Sequence, residues 1–293
     1  MALELVPFRP EYVGEVARIV FEAFKGIQDQ HSFPLDIPSL EVARGMMGMF
    51  AGRSDTPGVV ALLDGRVVGS NFTQVSDEVS GVGPITVDAS VQAKGIGRAL
   101  MKYIIDWSLK NHGPMVRLVQ ESFNMRSLPL YTSLGFIVVE PLVLMQVEPA
   151  AQDDHSVRQL KAEDLPACDA LCRRVQKVSR KNELAFMIEH GSHAGFVPHG
   201  RFDGKNLRAY VIPGFVGHGV GESAEDLLTT ASQAARHLPP HVHRMIVPVR
   251  HGQLFRLALK MKMKCLKPMN LMAMGAFEQP QMSGAAWTPS IAY

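Results

Sequence analysis

Apolar residues in the first half of the chain follow helical spacing in some segments and strand spacing in others. Between Val13 and Phe24 they recur about every 3.6 positions, which is the spacing of an amphipathic helix. Two later apolar runs, at 58–63 and 66–72, are separated by Asp64-Gly65, a strong signal for a two-residue β-hairpin. The whole pattern predicts a strand at 3–8, a helix from about 10 to 24, a helix ending near 50, the hairpin, a strand at 83–88, a helix at 96–110, a strand at 116–120, a short helix at 127–134, and strands at 136–139 and 142–147.

A similar order of elements recurs after a polar, turn-rich segment at 149–154. The second pattern predicts a strand at 156–160, a helix opening at 161–165, a strand at 209–212, a helix at 223–237, a strand at 245–249, a helix at 253–261 and a strand at 267–274. The repetition predicts an α/β (α+β) fold of two tandem domains, each with a mixed, mostly antiparallel central sheet flanked by helices. The predicted domains are residues 1–148 and 155–276, followed by an extended C-terminal tail at 277–293.

Composition and charge narrow the functional classes. A chain of 293 residues is comfortable for two domains, on a prior of roughly 100–200 residues per domain. The formal net charge of +2 gives no reason to expect a nucleic-acid partner. No apolar run approaches about 18 residues, and the first residues lack a basic segment followed by an apolar one. We therefore expect neither a membrane span nor a secretory signal, and a cytoplasmic location.

The cysteines and histidines do not form a recognisable site in the sequence. Cys168, Cys172 and Cys265 are too few, and odd in number, for a disulfide framework. The histidines of the second half have none of the spacings typical of metal sites. We expect buried thiols in a reducing compartment and no metal.

The segment from Gln92 to Gly97 lies between a predicted strand and a predicted helix. The first N–H groups of a helix attract anions, and the absence of a Cβ at Gly95 and Gly97 would let phosphate oxygens approach the backbone. Lys94 and Arg98 add positive charge. The pattern is not a nucleotide P-loop, and it gives poor support for a dinucleotide-binding loop because the first glycine of Gly-x-Gly-x-x-Gly is missing. A tight strand–helix turn would use the same two glycines.

Two longer segments resemble motifs of one enzyme superfamily. Residues 85–100, ITVDASVQAKGIGRAL, resemble motif A of the GNAT N-acetyltransferases, whose core is Gln/Arg-x-x-Gly-x-Gly/Ala. Residues 124–136, NMRSLPLYTSLGF, resemble their motif B, Asn-x-x-Ala-x-x-x-Tyr-x-x-x-Gly-Phe. The two motifs occur in the expected order, so residues 1–148 are identified as a GNAT-like domain.

The resemblance implies how acetyl-CoA would bind as co-substrate. The amides from Gln92 to Arg98 would hold its pyrophosphate, and the strand from Ile85 to Ala89 would pair with its pantetheine arm. A strand N–H near Val87 would polarise the thioester carbonyl. The residues implied in binding are Ile85, Val87, Gln92, Ala93, Lys94, Gly95, Ile96, Gly97, Arg98, Asn124 and Tyr131.

The resemblance also implies catalytic roles. Tyr131 matches the tyrosine that often protonates the departing thiolate, although it could instead only pack on the cofactor. The general base is not legible. Asp88 and Glu121 lie at predicted strand ends and are the two candidates, while a water chain or prior deprotonation of the amine could also suffice.

The second half resembles this fold in element order alone. Its glycine-rich loop, at 217–226, carries three carboxylates and neither lysine nor arginine, and no Tyr-x-x-x-Gly-Phe motif follows. Carboxylates at that position would repel a pyrophosphate. We therefore expect a degenerate domain and one CoA per chain. The tail could fold back onto the first domain.

These features together predict an N-acetyltransferase that acts on a primary amine of a small molecule. Two alternatives remain open: a non-catalytic sensor of acyl-CoA, and an acetyltransferase for protein lysines or N-termini. Phe21 to Phe50 is the segment expected to carry specificity, and His31 and Phe33 are consistent with a partly apolar pocket. A homodimer is compatible with the sequence.

Overall fold

The computed structural model describes residues 2–92, 95–280 and 284–291, and these residues divide into two compact units. The first unit runs to Ile137 and includes Ala273–Ala276, and the second contains Val138–Met272 and Phe277–Ile291. Each unit combines mostly antiparallel strands with flanking helices, which confirms the predicted fold class. The domain boundaries at 148 and 155 stay a prediction.

The first unit is built on a sheet in the order β1-β2-β3-β4-β6, with β5 paired to β3. All of these pairs are antiparallel except the parallel pair of β4 and β6. In chain order its elements are β1 (Leu3–Pro7), α1 (Val13–Gln30), α2 (Leu40–Ala51), β2 (Gly58–Leu63), β3 (Arg66–Gln74), β4 (Ser80–Val82), β5 (Thr86–Val87), α3 (Ile96–Asn111), β6 (Val116–Glu121) and α4 (Ser127–Ser133).

Helix α1 forms because its apolar residues share one face. Val16, Ile19 and Val20 on that face are buried, and they pack in one cluster with Met47 of α2. Burying a side chain of this size stabilises a fold by about 1.5–3 kcal/mol. Helix α2 begins after Ser39, whose hydroxyl accepts a hydrogen bond from the Val42 amide at 3.2 Å.

The predicted hairpin is confirmed, but the strand predicted at 83–88 is wrong as a single element. Asp64 and Gly65 have φ angles of 49° and 80°, as a two-residue hairpin turn requires. The later strand is divided into β4 and β5 by a bulge, since Thr73 faces Val82 while Ser70 faces Thr86, one residue out of step. After the bulge the chain leaves β6 and continues along β3 alone.

The second unit contains a sheet in the order β14-β11-β10-β9-β8 and a second strand group in the order β13-β7-β12. Apart from the first residue of β7 and the last two of β13, its elements are β7 (Ile137–Gln146), β8 (Val157–Gln159), α5 (Leu165–Gln176), α6 (Lys181–His190), β9 (His199–Asp203), β10 (Asn206–Val211), β11 (Gly219–Gly221), α7 (Ala224–His237), β12 (Arg244–Pro248), α8 (Gly252–Lys260), β13 (Lys264–Met274) and β14 (Ala286–Thr288).

Three features of this unit differ from the sequence prediction. Strand β7 is continuous through Pro141, whose carbonyl accepts a hydrogen bond from the Val249 amide at 3.0 Å, so the two strands predicted here are one. Helix α6 was not predicted because it has no apolar stripe: Leu184 is its one buried residue. Strand β9 was not predicted because charged, histidine and glycine residues break its apolar alternation.

The described part of the tail belongs to the sheet of the second unit. Strand β14 pairs antiparallel with β11, with Trp287 opposite Val220. The Thr288 hydroxyl donates to the carbonyl of Ile246 in β12, and the Trp287 side chain is 2% exposed. The last two residues lie outside the described part of the chain.

Candidate active site

The N-terminus of α3 has the geometry of an anion site. Gly95 precedes the helix with φ +78° and ψ 0°, a left-handed conformation that glycine adopts without strain. The first helical hydrogen bond runs from the Ala99 amide to the Gly95 carbonyl at 3.0 Å, so the N–H groups of residues 96–98 precede the ladder. No described side chain caps this end. Ala93 and Lys94, which the sequence places in the same site, lie outside the described residues.

Three elements of the first unit meet at this helix start. A Cβ added to Gly97 would lie 3.6 Å from Leu130 of α4 and 3.9 Å from Val87 of β5. The first turn of α3 therefore lies between the motif-B helix and the strand expected to receive pantetheine. The buried Ile96 side chain anchors the turn from below.

Two arginines surround the start of the helix. The Arg98 guanidinium donates to the Ser133 hydroxyl at 2.8 Å, and Arg126 donates to the Gln92 side-chain oxygen. Arg126 is exposed and was missed by the sequence analysis, because it lies 34 residues from Gln92 and its position in motif B carries no expected charge. Both arginines are placed to attract a phosphate group.

Strand β5 presents one edge that no described strand covers. Asp88 donates its amide to the Val68 carbonyl at 2.9 Å, which makes Val87 and Gly69 a non-hydrogen-bonded pair. The backbone groups of Val87 therefore point away from β3. The Val87 carbonyl accepts a long hydrogen bond of 3.4 Å from the Gln92 side chain. Ile85 lies in the bulge just before β5. The edge of β5 could therefore form hydrogen bonds with a pantetheine arm, as the resemblance implies.

Asp88 caps the short turn that leads into the loop. Its carboxylate accepts hydrogen bonds from the Ser90 amide at 2.9 Å and the Ser90 hydroxyl at 2.7 Å, and Arg18 lies 3.8 Å away. The bonds from Ser90 lower the pKa of Asp88 below its usual value. A carboxylate stabilised in its ionised form is a weak proton acceptor. The structure thus places Asp88 as a cap, and its catalytic role stays a prediction that this geometry does not favour.

Glu121, the last residue of β6, lies in a hydrogen-bonded group that joins distant parts of the first unit. The fully buried Gln28 donates its side-chain amide to the Glu121 carboxylate at 3.0 Å and to Asp36 at 2.6 Å. Neither Gln28 nor Asp36 was singled out from the sequence, because nothing in an ordinary helix pattern marks a glutamine as a partner for a strand 93 residues away.

Tyr131, on α4, is buried and close to Glu121. Burial and the Glu121 charge raise the pKa of Tyr131, although a hydrogen bond with Ser127 acts in the opposite direction. The phenol therefore keeps its proton at neutral pH, and the same shift makes it a weaker acid toward a leaving thiolate. The ring packs edge-on to Phe136 with centroids 6.3 Å apart.

Asn124 organises the start of α4. Its side-chain oxygen accepts hydrogen bonds from the amides of Arg126 and Ser127, at 3.2 and 3.3 Å. Its carbonyl accepts from the Gln120 side chain at 3.1 Å. These bonds make Asn124 a helix cap, and its predicted contact with pantetheine stays a prediction.

A group of aromatic rings lies beside the end of β6. Phe123, two residues after Glu121, has its ring centroid 4.4 Å from that of Phe33 and 5.0 Å from that of His31. The His31 Nδ1 lies 2.9 Å from the Ile27 carbonyl, so this nitrogen carries the proton in the neutral ring. The turn after α1 thus brings apolar surface to the same strand end as Glu121.

The corresponding segment of the second unit differs from the first in its helix cap and in its charges. The Ser223 hydroxyl accepts a hydrogen bond from the Asp226 amide at 3.0 Å and so caps α7. Glu222 pairs with Arg174 at 2.7 Å and also with Arg208. Gly219, which the structure places in β11 and not in a loop, is explained by close packing: its Cβ would lie 2.7 Å from the Tyr210 carbonyl.

The described residues contain neither a membrane-spanning helix nor a cluster of metal ligands. No helix in these ranges is both long enough and apolar enough to cross a bilayer. Within the same ranges, no three histidine, cysteine, aspartate or glutamate side chains come together as metal ligands would.

Comparison with known proteins agrees with the geometry. Residues 22–136 match the acetyltransferase (GNAT) family. A proposed acetyltransferase from Pyrococcus horikoshii has the same fold with a TM-score of 0.77 at 14% identity, covering 99% of this chain and 95% of that one. A GCN5-related N-acetyltransferase from Sphaerobacter thermophilus has a TM-score of 0.59 at 12% identity, covering 94% and 96%. No curated protein matches the chain in sequence. At these identities the two structures establish the fold alone.

Proposed function

We propose that the protein transfers the acetyl group of acetyl-CoA to a primary amine of a small molecule, because residues 22–136 match the acetyltransferase (GNAT) family. The observation that carries the proposal is the start of α3 at Gly95, which no described side chain caps and which lies beside α4, the helix that bears the buried Tyr131. This combination would supply both a place for a pyrophosphate and a proton donor.

The residues of the first unit fit acetyl-CoA as co-substrate, which would supply the acetyl group as a thioester. The N–H groups of residues 96–98 would hold the pyrophosphate, with Arg98 and Arg126 as counter-charges. The Val87 N–H, which points away from β3, would donate to the carbonyl oxygen that gains charge during the reaction.

Two side chains would move protons. Glu121 would accept a proton from the attacking ammonium or amine, and Tyr131 would donate its phenolic proton to the leaving sulfur. The acetyl–sulfur bond breaks as the acetyl–nitrogen bond forms, so the products are an amide and a thiol. The rings of Phe33 and Phe123 pack together near Glu121 and would narrow the approach to this strand end, which would favour a small acceptor over a folded protein.

Replacing Tyr131 by phenylalanine tests the proposal. Free thiol released from acetyl-CoA would be measured with ethanolamine, putrescine, tyramine and a lysine-containing peptide as acceptors. We expect the wild type to acetylate at least one of the small amines, and Tyr131→Phe to lower kcat about 10- to 100-fold, since the leaving thiolate loses its acid. Affinity for CoA should stay within about twofold, because the phenyl ring still fills the site.

The matched control is Tyr103→Phe, since Tyr103 is a half-buried tyrosine farther along α3. It should leave kcat unchanged. A wild type that binds acetyl-CoA but acetylates none of the amines would contradict the proposal and favour an acyl-CoA sensor. Turnover of the peptide alone would favour a protein acetyltransferase.

A further inference from the structure

Gln28 is a fully buried polar residue near the end of α1. Burying an amide in a protein interior is unfavourable unless hydrogen bonds replace those it made to water. Here they do. The Nε2 group donates to Asp36 Oδ2 at 2.6 Å and to Glu121 Oε1 at 3.0 Å, while Oε1 accepts from the Asp36 amide at 3.0 Å.

The Asp36 amide determines which way the Gln28 side chain points. A backbone N–H can only donate, so the Gln28 oxygen must face it, and the NH₂ group must then face the two carboxylates. One hydrogen of this NH₂ group is directed to Asp36 and the other to Glu121. Asp36 therefore orients Gln28, and Gln28 in turn orients Glu121.

The position of Glu121 makes this orientation relevant to chemistry. Glu121 is the last residue of β6, and its negative charge contributes to the raised pKa of Tyr131 on the neighbouring helix α4. A glutamate side chain at a strand end has three rotatable bonds, and a carboxylate without a fixed donor would sample several positions. Small displacements of a proton acceptor reduce rates strongly.

We propose that Gln28 is a positioning residue, which holds the Glu121 carboxylate in the orientation needed to accept a proton from the acceptor amine. The role rests on the proposed acetyl transfer and assigns to a residue outside both family motifs a part in that reaction. Gln28 acts through Glu121 and does not itself touch the reacting atoms.

The direct test is Gln28→Met, which keeps the length and approximate volume of the side chain and removes both donors and the acceptor. The assay is thiol release from acetyl-CoA with the amine that the wild type acetylates fastest among ethanolamine, putrescine and tyramine. We expect kcat to fall about 10- to 100-fold. This loss is part of the roughly 10²- to 10⁴-fold rate increase that a positioned general base contributes. The KM for acetyl-CoA should stay within about twofold. A general disturbance of the fold would move both parameters.

Gln176→Met is the matched control. Gln176 is a buried glutamine at the end of α5, the first helix of the second unit, so it repeats the same substitution away from Glu121. It should leave both kinetic parameters unchanged. Circular dichroism of each variant would establish that the fold is retained.

A double-mutant cycle separates positioning from a structural effect. In the background of Glu121→Gln, which has already lost the carboxylate, Gln28→Met should lower kcat by less than about twofold. An equal loss in both backgrounds would overturn the proposal, because Gln28 would then act independently of Glu121.

Two other results are informative. An active wild type with an equally active Gln28→Met variant would overturn the role of Gln28 alone. A wild type that acetylates none of the three amines would overturn the proposed function, and the role of Gln28 with it.

Discussion

Asp88 and Glu121 are both carboxylates at strand ends of the first unit, but their donors differ. Asp88 receives two hydrogen bonds from one residue two positions away, Ser90, and this local arrangement closes a turn. Glu121 accepts a hydrogen bond from Gln28, on a different element. The first pattern is typical of a cap and the second of a group that is held in place from a distance.

This difference predicts distinct effects of removing each charge. Asp88→Asn keeps an oxygen that can accept from Ser90, so kcat should change less than about threefold, with a modest rise in the KM for acetyl-CoA as the turn loosens. Glu121→Gln should lower kcat about 100-fold, because the amide cannot accept the proton. Steady-state kinetics of the two variants would decide, and the reverse order of effects would make Asp88 the base.

The lowered pKa of Asp88 also has a consequence for stability. Because the folded-state pKa lies below the ordinary value of about 3.9, the ionised cap stabilises the fold above that pH, and this contribution is lost as the pH falls through the lowered pKa. An acid titration of wild type and Asp88→Asn, followed by circular dichroism, should show a smaller acid-induced loss of stability in the variant. Identical acid transitions would contradict this account.

At the residue scale, the sequence indicated the parts of the site that lie within short segments. Gly95, Gly97 and Tyr131 occur at fixed spacings in their motifs, so a local pattern was enough to select them. Gln28 and Arg126 could not be selected in this way, since each depends on a partner far away in the chain. Long-range hydrogen bonds leave no periodic signal.

At the scale of elements, most of the helices and strands of the first unit were predictable because each is punctuated by a local signal. Ser39 caps α2, Asp64-Gly65 closes a hairpin, and Gly135 follows α4 with φ +101°. The bulge between β4 and β5 was not predictable, because one extra residue relative to β3 appears only when the two strands are paired. That bulge is what frees the edge of β5.

The tail strand β14 gives a prediction for the second unit. Trp287 is buried opposite Val220, and replacing a buried tryptophan by alanine leaves a large cavity. We expect Trp287→Ala to lower the free energy of unfolding of this unit by about 3–5 kcal/mol. Urea titration would measure it, with Trp107→Ala on the half-buried face of α3 as a milder control. A loss below about 1 kcal/mol would mean that the strand packs only loosely.

At the scale of the whole chain, the two units share an order of elements but differ where a cofactor would bind. In the first unit the start of α3 has no described cap and β5 has an uncovered edge. In the second, Ser223 caps α7 and β14 pairs along β11. The sequence indicated this difference through the charges of the two loops. It could not indicate the pairing of β14, because the sequence of a short extended segment does not specify which strand it pairs with.

This difference predicts that each chain binds one molecule of acetyl-CoA. Isothermal titration should give a stoichiometry near one, and Gly97→Glu should abolish binding, because it introduces a carboxylate at the first turn of α3. Ser223→Ala, which removes the cap of α7, should still give one site, since β14 continues to cover β11. The second unit does have a groove near the start of α7, lined in part by Arg256 and Lys260, but Glu225 lines it as well. A second site that survives in Gly97→Glu and is lost in Arg256→Ala would place CoA in that groove and contradict the prediction.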